Sequence, residues 1–515
     1  MRFFTLFRIT VTSMFCKALL ISLIVLTGTQ HLSGQIFVGN DYRILDSVTY
    51  THYINHDWEK VIYTGDRALN KNIDYYYLRM RMGIAAYYLG RLPEAADHFE
   101  KALIFNSKDQ TAQLYLYDTY KLLGKNTRAY RLGMSFSNNT LSLIPEKRKP
   151  VEALYAGGGY SFSNNFALND KFIINNTDDT LAGSQILIGD KSDFYAGVNF
   201  NLSPVVSLYA GYNRLQIQKK ISFQYIEAPI VLDSVQREDW GFQNFFSNDP
   251  EFFRKSFDET IKQDEIYLNS RFQFETGWAI TLFSNLVMVK SVNIKADTVQ
   301  TSVTDTSYYV IGNSPEFITY TYDELQFTRT DSSFFNYVFG VNIEKDYNNI
   351  TFNLNGSISS LNGLNQNQLG ISAFYYLNKH ASFYGASGLT WFAQRWDDGW
   401  NENRLIINQK LGSKLYRRLW GEVDLTIGNL NNANISNGFV VYNQADKMRF
   451  KGGLTFKIFI GKHMELNLLY QYIAYEGIFN EISDEGANQN QNNNLINNTF
   501  NYQTPSIFGG LKWKF

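Results

Sequence analysis

Histidine is the side chain most often used as a general base or metal ligand near neutral pH, and this sequence has only six in 515 residues. His52 and His56 are four residues apart, but no companion ligand stands near them at metal-site spacing. His380 and His463 fall at predicted turns of two different hairpins, where turn or interface roles suit them better than acid–base catalysis. We therefore predict no catalytic residue, no cofactor-binding residue and no metal site.

Nucleophiles and phosphate-binding loops are also scarce in the sequence. The one cysteine, Cys16, lies in a predicted leader segment, so the mature chain would have neither a disulfide nor a thiol nucleophile. Gly157, Gly158 and Gly159 lie inside a predicted strand and therefore do not form a phosphate loop between a strand and a helix. The sequence thus predicts a protein that is not an enzyme and that needs no cofactor.

Composition narrows the class of protein further. The 47 basic and 48 acidic residues leave a net charge of −1, which argues for no nucleic-acid partner. The 35 Tyr and 40 Phe, set against only 8 Pro, are typical of a chain rich in strands. At 515 residues at least two domains are expected.

Residues 1–35 have the pattern of a secretory signal peptide. Basic Arg2 and Arg8 precede an apolar run over 18–26, and small residues follow it. That run is well short of the about 20 residues that a transmembrane helix needs. Contact with a membrane further along the chain would therefore require a closed barrel.

Residues 36–143 form a predicted helical domain with an internal period of 34 residues. Gly90 recurs as Gly124, and Ala95 recurs as Ala129. The best unit, DYYYLRMRMGIAAYYLGRLPEAADHFEKALIFNS, resembles the tetratricopeptide repeat (TPR). The residues at that family's packing positions are Gly83, Gly90, Ala95, Phe99 and Ala102.

The resemblance to TPR stacks implies a concave groove that binds a peptide or another protein, here a periplasmic or outer-membrane partner. The alternative is that the same side chains only pack against neighbouring helices or the next domain. A charged segment over 144–150, bounded by prolines, would link this domain to the rest of the chain. The residues that the family pattern places in the groove are Tyr77, Met80, Ile84, Tyr87, Leu114, Asp118 and Lys121.

From 151 to 515 the apolar period changes to two. In ITFNLNGSISS, Ile350, Phe352, Leu354 and Ile358 share one face, and Asn and Ser occupy the other. Short connections alternate with longer ones, as in an outer-membrane barrel with apolar residues towards lipid. The alternation predicts fourteen antiparallel strands, near 151–163, 192–202, 205–222, 264–276, 278–296, 334–346, 349–361, 364–377, 380–396, 402–414, 417–430, 448–461, 463–477 and 501–515.

Charged side chains on the polar face favour a barrel over a soluble sandwich, because a sandwich core could not easily bury them. They would pair with one another across a wet lumen. The predicted lumen network comprises Glu422, Asp424, Arg449, Lys451, Lys457 and Glu465.

The chain ends GGLKWKF, with Leu511, Trp513 and Phe515 on alternate positions. This ending resembles the β-signal of bacterial outer-membrane proteins. The resemblance implies recognition by the barrel-assembly machinery, with the three apolar side chains facing outer-membrane lipid.

The connections over about 164–191, 223–263, 297–333 and 477–500 are predicted to be long external loops. In the second of these, an aromatic stretch over 237–262 would form a lid or bind a surface partner, and Asp249-Pro250 would begin a short helix. The stretch ANQNQNNNLINN in the last is polar and of low complexity.

The fold class predicted is therefore an α+β multidomain protein, with N-terminal TPR-like repeats in the periplasm and a C-terminal transmembrane barrel in the outer membrane. The combination resembles outer-membrane proteins of the Bacteroidota type. Two functions remain open. The first is an accessory or scaffold subunit of an outer-membrane assembly or secretion complex, and the second is a channel or transporter of the porin or fatty-acid-channel kind.

Overall fold

A computed structural model describes most of the chain between Tyr42 and Phe515. The described residues are 42–144, 149–171, 181–226, 252–274, 276–311, 314–347, 350–377, 382–396, 399, 401–444, 446–478 and 499–515. The predicted signal peptide, His380 and most of the aromatic and Asn-rich loop stretches lie outside them. The chain divides into two units, Met1–Asp74 and Tyr75–Phe515.

The described part of the first unit contains two helices, α1 (Tyr42–Ile54) and α2 (Trp58–Leu69). Val61 and Ala68 are fully buried on α2. His56, in the turn between the helices, has a positive φ of 58° and stands where Gly90 would recur 34 residues later. Its ring meets Trp58 edge-on, with centroids 4.9 Å apart. A non-glycine residue in the left-handed region costs about 1–2 kcal/mol, so the turn of this first repeat is less stable than one with glycine.

The second unit opens with five helices: α3 (Tyr76–Tyr88), α4 (Leu92–Phe105), α5 (Gln110–Leu122), α6 (Asn126–Met134) and α7 (Asn138–Ser142). The starts of α1, α3 and α5 are 34 residues apart, as are those of α2, α4 and α6. The helical repeat predicted from the sequence is therefore confirmed.

The packing of α3 against α4 explains the small residue predicted at position 83. A Cβ built on Gly83 would lie 2.6 Å from Cε1 of Phe99, which is fully buried. Phe99 in turn stacks on Tyr115 with centroids 5.4 Å apart. Gly90 and Gly124, with φ of 74° and 72°, end α3 and α5 in the left-handed conformation that glycine adopts without strain.

Fourteen antiparallel strands then close into a barrel, in which the first strand pairs with the last. This confirms the predicted fold class and strand count. The barrel strands are β1 (Val151–Ser161), β2 (Leu181–Asn201), β3 (Val206–Ile226), β4 (Phe252–Gln273), β5 (Trp278–Ile311), β6 (Ser314–Tyr347), β7 (Ile350–Ser359), β8 (Asn365–Tyr376), β9 (Phe383–Arg395), β10 (Asn401–Tyr416), β11 (Leu419–Ile427), β14 (Lys447–Ile460), β15 (Met464–Ile478) and β16 (Thr499–Lys514).

One end of the barrel, here called the turn end, carries the short connections predicted from the sequence. Gly277 and Gly461 turn the chain there with φ of 79° and 66°. The start of β1 and the end of β16 lie at the same end. The opposite end is called the loop end, and α8 (Asn165–Asn169) lies there between β1 and β2.

Three of the predicted long loops are partly wrong. Residues 181–191, 223–226, 252–263, 297–311 and 314–333 continue as strand, and no helix follows Asp249-Pro250, because β4 begins at Phe252. The prediction limited strands to about the 9–11 residues that span a bilayer. Here β2 to β6 run beyond that length, and a cluster around Ile221, Phe223 and Ile294 packs their extensions together.

The outer surface of the barrel is apolar. Phe352, Leu354 and Ile358, the face predicted for β7, are 52%, 46% and 53% exposed. Similar side chains are exposed on neighbouring strands, including Leu369, Ile371, Leu405 and Ile407. Such a belt is stable only against lipid, so the barrel is of the membrane-spanning kind.

Candidate functional site

The charged residues predicted in the lumen form several separate groups instead of one network. Glu422 is 4% exposed and accepts a hydrogen bond from Nζ of Lys457 at 2.5 Å. Lys410 lies 3.5 Å from the same carboxylate, and the Tyr384 hydroxyl also donates to it. These contacts lie near the turn end.

The remaining members of the predicted network have other partners. Lys451 and Asp424 are 4.0 Å apart, and Glu465 pairs with Lys514 at 3.7 Å. Arg449 pairs with Glu476 instead. The strand register shifts between Met448 and Phe450, and such a bulge interrupts the alternation on which the prediction for Arg449 depended.

The lumen also holds a segment that the sequence reasoning missed. Residues 428–444 and Asp446, called the inner segment, connect β11 to β14 and fold inward as a small hairpin. Its strands are β12 (Asn434–Ile435) and β13 (Val440–Val441). Ser436, Asn437 and Gly438 form the tip with φ of 55°, 57° and 74°.

The tip of the inner segment reaches the opposite wall. The Tyr267 hydroxyl donates to the carbonyl of Asn437 at 3.0 Å, and Nδ2 of Asn285 donates to that of Gly438 at 3.0 Å. These partners lie on β4 and β5, which are six or seven places from β11 and β14 in the ring of fourteen strands. The segment therefore crosses the full width of the lumen.

Other hydrogen bonds attach the inner segment to the wall along its length. Asn434 exchanges bonds with Gln368 of β8, receiving one from Nε2 at 2.9 Å and donating its own N–H at 2.8 Å. Asn432 donates to Gln394 of β9 at 2.8 Å, and Lys191 of β2 donates to Gln444 at 2.9 Å. Irregular backbone at membrane depth is stable only when its polar groups are satisfied in this way.

Apolar packing adds to these bonds. Leu430 and Ala433 of the inner segment are fully buried. The cluster around them comprises Leu187, Phe392, Ile406, Tyr442, Met448, Ile473, Tyr475, Phe500 and Tyr502, with Phe166 of α8 packed against it. The wet, polar lumen predicted from the sequence is therefore found near the turn end, whereas at the level of the inner segment apolar side chains also fill the lumen.

The turn between α5 and α6 lies against the turn end of the barrel. The Thr127 hydroxyl donates to the carbonyl of Pro204, in the β2–β3 turn, at 3.1 Å. Lys125 and Arg128 line a cavity of about 170 Å³ together with Arg271 and Asp346 of the barrel. Burial lowers the pKa of Lys125, and Asp346 partly offsets that effect.

The residues predicted for the TPR groove do not share one open surface. Tyr77 is 63% exposed, whereas Met80 and Ile84 are buried. The Tyr87 hydroxyl donates to Asp118, and burial together with this bond raises the pKa of Tyr87.

Two further groove residues lie on α5. Leu114 is half-buried. Lys121 donates to Oδ1 of Asn126 at 3.1 Å and lines a cavity with His463 and Phe515 of the barrel. The structure thus brings Lys121 to the turn end of the barrel.

The three residues of the predicted β-signal lie on the outer face of β16. Leu511, Trp513 and Phe515 are 41%, 44% and 45% exposed. The N–H of Phe515 donates to the carbonyl of Glu152 at 3.1 Å, so the last residue helps to close the barrel against β1.

A metal site or a membrane-spanning helix would be a competing functional feature. Among the residues that the structure describes, no three His, Cys, Asp or Glu side chains group closely enough to hold a metal ion. In the same part of the chain, no helix has the length and hydropathy to cross a membrane. His98 is buried, and its Nδ1 lies 3.1 Å from Nη1 of Arg79, a contact between α4 and α3.

A local signal could have revealed the inner segment. Asn437-Gly438 stands between Ile435 and Val440, and an Asn-Gly pair flanked by apolar residues is a strong hairpin signal. The strand predicted over 417–430 ends instead at Ile427. Which side of the wall such a hairpin occupies cannot be read from the pair itself.

No protein-family model matches the sequence, and no curated protein matches it. A FadL homologue from Pseudomonas aeruginosa aligns over 75% of this chain and 94% of its own, at 8% identity and a TM-score of 0.38. The toluene transporter TodX from P. putida aligns over 73% and 92%, at 8% identity and a TM-score of 0.36. The TPR domain of OM64 from Arabidopsis aligns over 21% and 89%, at 18% identity and a TM-score of 0.18. Scores this low assign no function, so the fold rests on the strand pairing and the helical period.

Proposed function

We propose that this protein is an outer-membrane scaffold whose barrel anchors a periplasmic, TPR-like interaction domain within an assembly or secretion complex. The observation that carries the proposal is the inner segment, which spans the lumen from β11 and β14 to β4 and β5. A barrel crossed by hydrogen-bonded chain suits anchoring better than free diffusion of solutes.

The proposed orientation follows from the connections. In outer-membrane barrels the short turns face the periplasm and the long loops face the exterior. The α5–α6 turn contacts the turn end, where Thr127 meets Pro204. The helical domain would then lie in the periplasm, where protein partners of the envelope are available.

The surface offered to a partner is centred on α3. Tyr77 and Tyr88 are 63% and 59% exposed. They are eleven residues apart, which is close to three helical turns, so they lie on the same face of the helix. Exposed tyrosines are common anchors of protein interfaces. The partner would be a protein or an extended peptide, as the TPR resemblance implies.

Affinity purification of the full-length protein from native membranes tests the scaffold role. The scaffold role would be supported if proteins co-purify with the wild type at fixed stoichiometry and Tyr77→Ala lowers their amount at least about tenfold. Tyr63→Ala is the matched control, since Tyr63 is similarly exposed but lies on the second helix of its repeat. A wild-type protein that purifies alone, or equal loss in both variants, would contradict the scaffold role.

A second candidate function is transport of a small molecule, and one observation favours it. A cavity of about 420 Å³ remains beside the inner segment. Uptake of small solutes into proteoliposomes carrying the wild-type protein would support transport. Uptake equal to that of protein-free vesicles would exclude it.

A further inference from the structure

The cavity beside the inner segment is walled by aromatic rings. Tyr209, Tyr267 and Phe439 contact one another, with ring centroids 5.2 to 6.0 Å apart. Two of the rings belong to barrel strands and the third to the inner segment. Aromatic walls of this kind suit a ligand with an apolar body.

Glycines in the wall keep these rings out of the middle of the cavity. A Cβ on Gly197 would lie 2.2 Å from the Tyr209 hydroxyl oxygen, and one on Gly211 would lie 2.9 Å from Cε1 of the same ring. A Cβ on Gly157 would lie 2.5 Å from the hydroxyl oxygen of Tyr195. The rings of Tyr209 and Tyr195 therefore lie flat along the wall. The cavity stays open because the glycines beneath these rings have no side chain.

One corner of the cavity is acidic. Glu265 is 4% exposed and accepts hydrogen bonds from Gln263 at 2.7 Å and from Asn285 at 2.9 Å. Asp193 lines the same cavity. In the described part of the chain, no basic side chain pairs with either carboxylate. Burying charged carboxylates without a counter-charge is costly, and either a proton or a bound cation removes that cost.

Unused hydrogen-bonding atoms face the same space. Oδ1 of Asn213 has no partner among the described residues, and Nδ2 of that residue reaches Glu265 at 3.4 Å. The buried hydroxyls of Thr504 and Ser506 also lack a partner there, although each residue is only 1% exposed. Buried polar groups are normally satisfied, so these atoms indicate a polar ligand, and Oδ1 of Asn213 requires a hydrogen-bond donor.

The lysines that border the cavity are engaged elsewhere. Nζ of Lys191 donates to Gln444 at 2.9 Å and to the Tyr475 hydroxyl at 3.0 Å. Lys451 pairs with Asp424 at 4.0 Å. Neither lysine therefore pairs with the carboxylates of the acidic corner.

We propose that the cavity binds a small organic cation, an ammonium group on an apolar body. The ammonium would donate to Asp193, Glu265 and Oδ1 of Asn213. The apolar body would lie against the rings of Tyr209 and Tyr267. A metal ion would use the oxygens but leave the aromatic walls without a role. The inference goes beyond the scaffold role and does not depend on it.

Calorimetric titration of the full-length protein in detergent, with benzylammonium and with benzyl alcohol, tests this inference. The two probes share size and ring, and only the first carries charge. We expect benzylammonium to bind at least about tenfold more tightly. Equal affinities, or no binding of benzylammonium, would overturn the proposal. Displacement of bound benzylammonium by submillimolar calcium would also overturn it, because the corner would then be a metal site.

Variants locate the site within the barrel. Asp193→Asn combined with Glu265→Gln should remove the preference for benzylammonium and leave benzyl alcohol unchanged. The control is Glu465→Gln, a carboxylate paired with Lys514 at 3.7 Å outside the cavity, which should bind as the wild type does. An unchanged preference in the double variant would refute the site. Heat-modifiable gel mobility reports folding, and the comparison of the two probes on the wild type remains decisive if the double variant does not fold.

Discussion

Gly438, at the tip of the inner segment, offers a direct test of whether that segment closes the lumen. Its φ of 74° is one that an L-residue adopts only at a cost of about 1–2 kcal/mol. A Cβ there would also lie 2.9 Å from Cδ2 of Phe283 on the facing wall. Gly438→Ala therefore combines backbone strain with a clash, and both weaken the contact of the tip with β5.

Gly461→Ala is the control for a strained glycine position elsewhere in the barrel. Gly461 has a similar φ of 66°, but a Cβ built on it meets nothing within 4 Å. The clash alone costs about 1–3 kcal/mol if it behaves like overpacking in a core. Gly438→Ala should then raise the population of the detached tip by at least about 5-fold over the wild type, since the strain adds to the clash.

The assay uses a reporter cysteine in a mature chain that is predicted to contain none. Thr455 lines the cavity beside the inner segment, so Thr455→Cys reports access to the lumen. The labelling rate with a membrane-impermeant maleimide should rise in the Gly438→Ala background by the factor given above and stay at the wild-type rate in the Gly461→Ala background. Fast labelling without either substitution, or equal rates in both backgrounds, would refute the view that the inner segment closes the lumen.

Three further predictions concern assembly, stability and topology. Deleting residues 513–515 should slow barrel assembly and leave a protease-sensitive species, and a wild-type yield of heat-modifiable barrel would contradict the β-signal. Phe99→Ala should destabilise the helices of the second unit by about 3–5 kcal/mol, because the ring is fully buried against Gly83. Thermal unfolding followed by circular dichroism measures this loss, and the mobility of the barrel on gels should stay unchanged. Protease added to intact cells should spare 60–130, and cleavage in that range without permeabilisation would rule out a periplasmic helical domain.

Much of the architecture could be predicted because its signals are local. The period of 34 residues reappears in the spacing of the helix starts, and all fourteen strands overlap those predicted from alternation. Side chains on a strand face opposite sides at every second residue, so apolar alternation identifies a strand without knowledge of its partners. The resemblance to the TPR likewise predicts that Gly83 and Phe99 are packing residues, and they meet in the structure.

The contents of the lumen were decided by the tertiary structure alone. Asn437-Gly438 indicates a hairpin locally, but its inward position depends on Tyr267, which is 170 residues away in sequence. The register shift beside Arg449 and the position of Lys121 near His463 likewise depend on neighbouring elements. The sequence alone determined the helical repeat, the strands and their apolar outer face, because each follows from the period of neighbouring residues. Only the closed barrel decided which loop fills it and which charges pair, because those contacts join residues far apart in the chain.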